Sequence, residues 1–170
     1  MKTRDFILLG LGFMCIQGIF AQGSVTHTVT LQLENVSSIR LKPGTEEHTS
    51  LVFADPDDYK KGVEQSLAAV YQVRTNRPWV VNVKSSTENF EYSGQDSQPK
   101  DMPSTVLNFR KSNSNNMNYT PLSTSAVLIA QGKQGGYELN EFGVDYKADP
   151  GFKYTYGDYS IEVVYTVSNP

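Results

Sequence analysis

The feature that most constrains the fold is an alternation of apolar and polar side chains that recurs along the chain. In residues 25–34 every second side chain is valine, leucine or histidine, and the side chains between them are mostly threonine, with glutamine and glutamate. The same period of two returns at residues 66–75, 79–83 and 159–167. Because successive side chains of an extended strand point to opposite faces, this pattern predicts half-buried β-strands rather than helices.

Turn-forming residues separate the predicted strands. The tripeptide Asn76-Arg77-Pro78 predicts a tight reversal, so that the strands on its two sides form a β-hairpin. A long polar loop is expected at residues 85–102. Further strands are expected at about residues 104–111, 126–130 and 142–146. Short strands, frequent turns and little helical periodicity predict an all-β fold, an antiparallel immunoglobulin-like β-sandwich of about 7–9 strands.

One segment is ambiguous. Asp55 is a good helix N-cap and Pro56 is well suited to a first helical position, but Gly62 interrupts the helical spacing. A turn at residues 56–62 followed by a strand is the favoured interpretation, and a helical turn is the alternative.

The N-terminus has the organisation of a signal peptide. Lys2 and Arg4 precede an apolar stretch at residues 6–20, which is shorter than the roughly twenty residues that a membrane-spanning helix needs. Cleavage is expected after Ala21, with cleavage after Gly23 as the alternative. Residues 1–21 are therefore predicted to be a signal peptide and residues 22–170 a single domain. The protein is expected to be exported to the cell surface, the extracellular space or the periplasm.

Composition excludes several function classes. The chain has 15 Lys and Arg against 18 Asp and Glu, which lacks the basic excess of a nucleic-acid-binding protein. Its one cysteine, Cys15, lies in the predicted signal peptide, so the mature chain is expected to have no disulfide. With only two histidines and no cysteine pair, no metal site and no cofactor are expected.

Two polar clusters contain residue types that can act as metal ligands. Asp55, Asp57 and Asp58 offer the oxygen ligands that calcium prefers, but they lack the spacing of an EF-hand loop. A solvated turn is the favoured interpretation, and calcium binding is the alternative. The sequence Glu46-Glu47-His48 lies in a polar loop and is not expected to hold an ion.

The sequence carries no catalytic signature. No G-x-S-x-G motif is present, and the glycine-rich residues 132–136 lack the order of a phosphate-binding loop, so they predict a hinge or hairpin tip. His27 falls on the apolar face of the first predicted strand and is expected to be a core or rim residue. The protein is therefore expected not to be an enzyme.

Tyrosine is concentrated near the C-terminus. Most of these tyrosines are expected to pack in the sheets, because tyrosine fits a half-buried pleated surface. Tyr154 and Tyr156 lie near a turn and are the predicted partner-binding residues, for a partner strand or a glycan.

Two motifs resemble those of secreted bacterial β-sandwiches. Residues 76–83 read N-R-P-W-V-V-N-V and are similar to the W-x-L motif of WxL surface domains, with Val81 in place of leucine. Residues 157–167 read G-D-Y-S-I-E-V-V-Y-T-V and are similar to the terminal Y-x-x-x-L-x-W-x-L motif of the same family, with Tyr165 in place of tryptophan. The same two features are similar to spore coat protein U-like and chaperone–usher pilin-like subunits.

Each resemblance implies a different role. Similarity to WxL domains implies non-covalent attachment to the cell wall or outer envelope, and similarity to pilins implies completion of the fold by a strand from a neighbour. In both cases Trp79, Val81, Tyr159 and Tyr165 are the expected structural anchors. We expect a non-enzymatic cell-envelope module that is surface-associated or adhesive and binds a cell-wall or surface polysaccharide. The alternative is a fimbrial subunit that pairs strands with neighbouring subunits.

Overall fold

A computed structural model describes residues 27–97, 99–113 and 118–170 of the chain. The predicted signal peptide and its cleavage site lie outside these residues. The chain divides into two units, the first ending at Leu33 and the second comprising residues 34–170. The second unit contains all the described secondary structure: β1 Ser37–Leu41, α1 Pro56–Lys61, β2 Val63–Thr75, β3 Trp79–Ser85, β4 Glu91–Ser93, a 3₁₀ turn Ser104–Val106, β5 Leu107–Lys111, β6 Thr120–Pro121, β7 Val127–Gly132, β8 Glu141–Ala148, β9 Asp158–Ser160 and β10 Val163–Ser168.

The strands form antiparallel sheets, which confirms the predicted all-β sandwich. The larger sheet has the order β1-β2-β8-β5-β6, and the smaller has the order β10-β3-β7. A separate ribbon pairs β4 with β9. The described part of the chain has ten strands rather than the expected 7–9, because β4, β6 and β9 are only two or three residues long.

The strand predicted at residues 25–34 is not formed in its described part. Residues 27–36 have no strand assignment, and Val29, Leu31 and Leu33 are 70%, 81% and 87% exposed. Alternation shows that a segment is able to form a strand, but a strand also needs a hydrogen-bonded neighbour and a surface that covers its apolar face. His27 is accordingly exposed and is not a core residue.

The predicted β-hairpin around Asn76-Arg77-Pro78 is also wrong. β2 belongs to the larger sheet and β3 to the smaller one, so the reversal carries the chain from one sheet to the other. Asn76 stabilises this crossing, because its side chain accepts from the backbone N–H of Val36 at 3.0 Å and donates to the carbonyl of Glu34 at 2.6 Å.

The core lies between the two sheets. On β3, Trp79, Val81 and Val83 are buried, and on β8 the inward side chains include Phe142 and Val144. These positions keep the period of two that the sequence predicted. The indole N–H of Trp79 donates to the carbonyl of Lys133 at 3.0 Å, so this buried ring leaves no polar atom unpaired.

The helical alternative is the correct interpretation of residues 56–61. The Asp55 side chain accepts hydrogen bonds from the backbone N–H groups of Asp57 and Asp58. The Asp58 side chain in turn accepts a hydrogen bond from the backbone N–H of Asp55, and the two interactions form a capping box. Gly62 ends the helix with a φ of 77°, a conformation that favours glycine. β2 then begins at Val63, earlier than predicted.

The outer face of the larger sheet contains one buried carboxylate. Asp145 on β8 is 4% exposed and accepts from Nε of Arg110 at 2.9 Å, from the backbone N–H of Leu67 at 2.9 Å, and from the Ser112 hydroxyl. Leu67 lies where the register between β2 and β8 shifts, and it has a φ of 49°. Asp145 therefore holds an irregularity of β2 in place.

Candidate functional site

A cleft of about 1210 Å³ opens at one end of the sandwich. Its floor is the inner face of the larger sheet, including Tyr71 on β2 and Tyr146 on β8. One wall is the irregular segment at residues 46–53, and the other comprises residues 154–163. Residues 46–53 follow β1 and line the cleft without forming a strand.

Tyrosines join the two sheets at the floor of the cleft. The hydroxyls of Tyr146 on β8 and Tyr165 on β10 lie 2.7 Å apart, and the ring centroids of Tyr71 and Tyr165 are 4.2 Å apart. Burial, the largest cause in each case, raises the pKa of all three phenols above the ordinary value. These side chains stay protonated at neutral pH and serve as hydroxyl donors and acceptors.

Aromatic rings form much of one wall. The rings of Tyr154 and Tyr159 are 6.3 Å apart between centroids, and those of Tyr92 and Tyr159 are 5.1 Å apart. The Tyr92 hydroxyl donates to the carbonyl of Tyr156 at 3.0 Å. Gly157 permits this packing, since a Cβ at that position would lie 2.5 Å from the Tyr92 ring.

Tyr154 and Tyr156, the predicted partner-binding residues, both line this cleft. Tyr154 is half-buried, whereas Tyr156 is 72% exposed and presents its side chain to solvent. The structure therefore brings the two residues into one concave surface. Their binding role stays a prediction.

The predicted anchors occupy different environments. Trp79 and Val81 are buried between the sheets, and Tyr165 links the sheets through Tyr146. Tyr159 lies on β9 and lines the cleft, where its hydroxyl donates to the carbonyl of Thr155 at 3.2 Å. Three anchors therefore contact the core, and Tyr159 belongs to the wall of the cleft.

Helix α1 contributes to the cleft through a ring that the sequence analysis did not single out. Tyr59 lies 5.4 Å from Phe53 and 5.2 Å from Phe152, measured between ring centroids. Both Tyr59 and Phe53 line the cleft. Aromatic spacing within α1 cannot reveal this, because the three rings come from separate segments and meet only in the folded chain.

The carboxylates of the acidic cluster beside α1 cap the helix or pair with a lysine. Asp55 and Asp58 accept backbone N–H groups, and Asp57 pairs with Nζ of Lys61 at 2.9 Å. Across the described ranges, no group of three or more His, Cys, Asp or Glu side chains is arranged to hold a metal ion.

The structure also places two other segments that the sequence analysis discussed, the glycine-rich residues 132–136 and the sequence Glu46-Glu47-His48. The strand β7 ends at Gly132, and Gly135 exchanges backbone hydrogen bonds with Thr75 at 3.0 and 2.8 Å, so residues 132–136 form a connection beside β2. Glu46, Glu47 and His48 are exposed along the wall of the cleft. Within the described residues, no helix has the length and apolar character to cross a membrane.

Comparison of the sequence with known proteins assigns it to no family. No protein-family model matches the chain, and no curated protein matches it.

Proposed function

We propose that this protein is an exported, non-enzymatic module of the cell envelope that binds a cell-wall or surface polysaccharide. The observation that carries the proposal is the aromatic cleft, which Tyr59, Tyr154, Tyr156 and Tyr159 line together. Aromatic side chains offer flat apolar surfaces with polar tips, and the hydrophobic faces of sugar rings stack on such surfaces. The N-terminal sequence supports export.

Pull-down with purified cell wall and with surface polysaccharide tests this function. We expect the protein to be enriched with at least one of these polymers. The Tyr156→Ala variant should lose most of the enrichment, because it removes an exposed ring from the cleft. Leu139→Ala is the matched control, since Leu139 is 81% exposed and does not line the cleft. Equal enrichment of both variants, or none of the unaltered protein, would contradict the proposal.

A second candidate function is a structural subunit assembled by strand donation. Val29, Leu31 and Leu33 alternate with polar residues in a segment that forms no strand of its own, and they are largely exposed. The strand β10 lies at the edge of its sheet, with β3 as its hydrogen-bonded neighbour. An edge strand presents backbone groups that can pair with a strand from another chain.

Molecular mass in solution tests strand donation. A donating subunit should form concentration-dependent oligomers, and Leu31→Glu should reduce them by placing a charge on the apolar face of the donated segment. Gln32→Glu is the control variant, because residue 32 falls on the polar side of the same alternating pattern. A stable monomer that is unaltered by deletion of residues 22–35 would exclude strand donation.

A further inference from the structure

The cleft has a one-sided charge although the chain as a whole is nearly balanced. Among the residues that the structure describes, the lining contains several carboxylates and no lysine or arginine, whereas the full sequence has 15 Lys and Arg against 18 Asp and Glu. These carboxylates are all on exposed residues: Glu46, Glu47, Glu91, Asp158 and Glu162. A concave site with charge of one sign concentrates ligands of the opposite sign.

We infer that the cleft selects a polysaccharide whose sugars carry free ammonium groups, such as a polymer rich in glucosamine. This inference rests on the proposed function, because it specifies the class of polysaccharide that the same cleft binds. A polymer of uronic acids or sugar phosphates is disfavoured by the carboxylates. A fully N-acetylated polymer gains the stacking contacts but not the charge.

The aromatic walls fit the same ligand. The face of an aromatic ring attracts a cation placed within about 6 Å of the ring centroid, and rings grouped around one site recognise ammonium ions. The ring of Tyr154 already has one cation of the chain beside it, since Nζ of Lys100 lies 5.8 Å from its centroid, so a ligand's ammonium group competes with this lysine there. The wall that carries Tyr154 also carries the exposed carboxylates of Asp158 and Glu162.

The remaining lining favours a sugar over a basic peptide. Serine and threonine hydroxyls suited to hydrogen bonding with sugar hydroxyls line the cleft at Thr49, Ser50, Ser86, Thr87, Thr155 and Ser160. A cleft of about 1210 Å³ also exceeds the roughly 300–1,000 Å³ of a small-molecule pocket, which suits several consecutive sugar units.

Calorimetric titration of the purified protein with two oligosaccharides of equal length tests the inference. The probes are a glucosamine tetramer and its fully N-acetylated counterpart, both at a pH at which the amines are protonated. We expect the glucosamine tetramer to bind about tenfold more tightly, the effect of two or three partly exposed ammonium contacts. Added salt should reduce this preference, because it screens exposed charges.

Substitution of single carboxylates tests which of them contribute to binding of the glucosamine tetramer. Glu162→Gln is expected to weaken binding of the glucosamine tetramer about threefold, as befits an exposed ion pair, and to leave the acetylated tetramer unaffected. Glu138→Gln removes the same charge from an exposed position outside the cleft and should change neither affinity. The triple variant Glu46→Gln/Asp158→Asn/Glu162→Gln should abolish the preference.

The outcomes separate this inference from the proposed function. Equal binding of the two tetramers would overturn the ammonium preference while leaving polysaccharide binding in place. Binding of a lysine-rich peptide with neither tetramer bound would overturn the sugar assignment. Binding of none of the probes, together with no enrichment on cell wall or surface polysaccharide, would overturn both proposals.

Discussion

Asp145 shows how one residue stabilises an irregular part of the sheet. Burial, the largest single influence, raises its pKa, but hydrogen bonds from Ser112, the Leu67 N–H and Arg110 together hold the pKa below the ordinary value. The folded state therefore favours the charged carboxylate. The sequence gives no sign of this role, because Asp145 lies on a strand face that alternation assigns to solvent.

Asp145→Asn should lower the free energy of unfolding by about 2 kcal/mol. The substitution places an amide N–H₂ where the carboxylate accepts from Arg110, and hydrogen bonds to buried charged groups contribute roughly this amount. Urea denaturation measures the loss. Glu138→Gln, an exposed substitution, is the control and should stay within about 0.5 kcal/mol of the unaltered protein.

The lowered pKa of Asp145 also predicts a pH dependence. Its contribution to stability is fully present above the unfolded-state pKa of about 4 and is lost as the pH falls through the lower folded-state value. Unfolding free energies measured from about pH 5 to about pH 2 should therefore fall less steeply for Asp145→Asn than for the unaltered protein. Parallel curves for the two proteins would contradict this assignment.

Gly132 allows the Trp79 ring to lie against the backbone of β7. A Cβ at residue 132 would lie 2.5 Å from the ring, so Gly132→Ala should destabilise the fold by about 1–3 kcal/mol. Because the chain has a single tryptophan, the change should also appear in the fluorescence of Trp79. At Gly136 a Cβ would meet nothing within 4 Å, and Gly136→Ala should leave both stability and fluorescence nearly unchanged.

At the scale of elements, alternation predicted strands well and their partners poorly. The buried positions Trp79, Val81 and Val83 follow the predicted period, because burial on one face is a property of the strand itself. Pairing depends on distant segments, so the sequence around Asn76-Arg77-Pro78 could not distinguish a hairpin from a crossing between sheets. Residues 25–34 show the same limit, since a strong alternating pattern there forms no strand in its described part.

Helix α1 is short and depends on its N-cap. Asp55→Ala removes the acceptor for two backbone N–H groups and should cost about 1 kcal/mol of stability. Because α1 holds Tyr59 against Phe53 at the cleft, the same variant should weaken polysaccharide binding more than Asp55→Asn, which keeps a capping side chain. Denaturation and the wall pull-down measure the two effects.

At the scale of the whole molecule, the sequence predicted the sandwich and two residues of the cleft. Tyr154 and Tyr156 were selected as partner-binding residues because they lie near a turn in a tyrosine-rich stretch, and both line the cleft, although their binding role stays a prediction. Tyr59 and Glu46 were not selected as binding residues, since they come from a helix and a polar loop about a hundred residues away from those tyrosines. Only the folded chain brings these segments to one concave surface.

Chemical-shift mapping by NMR tests most directly whether the cleft is the binding site. Titration of the isotope-labelled protein with oligosaccharides from the cell wall or with the glucosamine tetramer should perturb the signals of residues 46–53 and 154–163, with Tyr154 and Tyr156 among them. Signals of exposed residues away from the cleft, such as Leu128 on the outer face of β7 and Leu139 in the turn before β8, should stay unchanged. Perturbations confined to the outer faces, or saturable binding that leaves the cleft signals unmoved, would contradict the account.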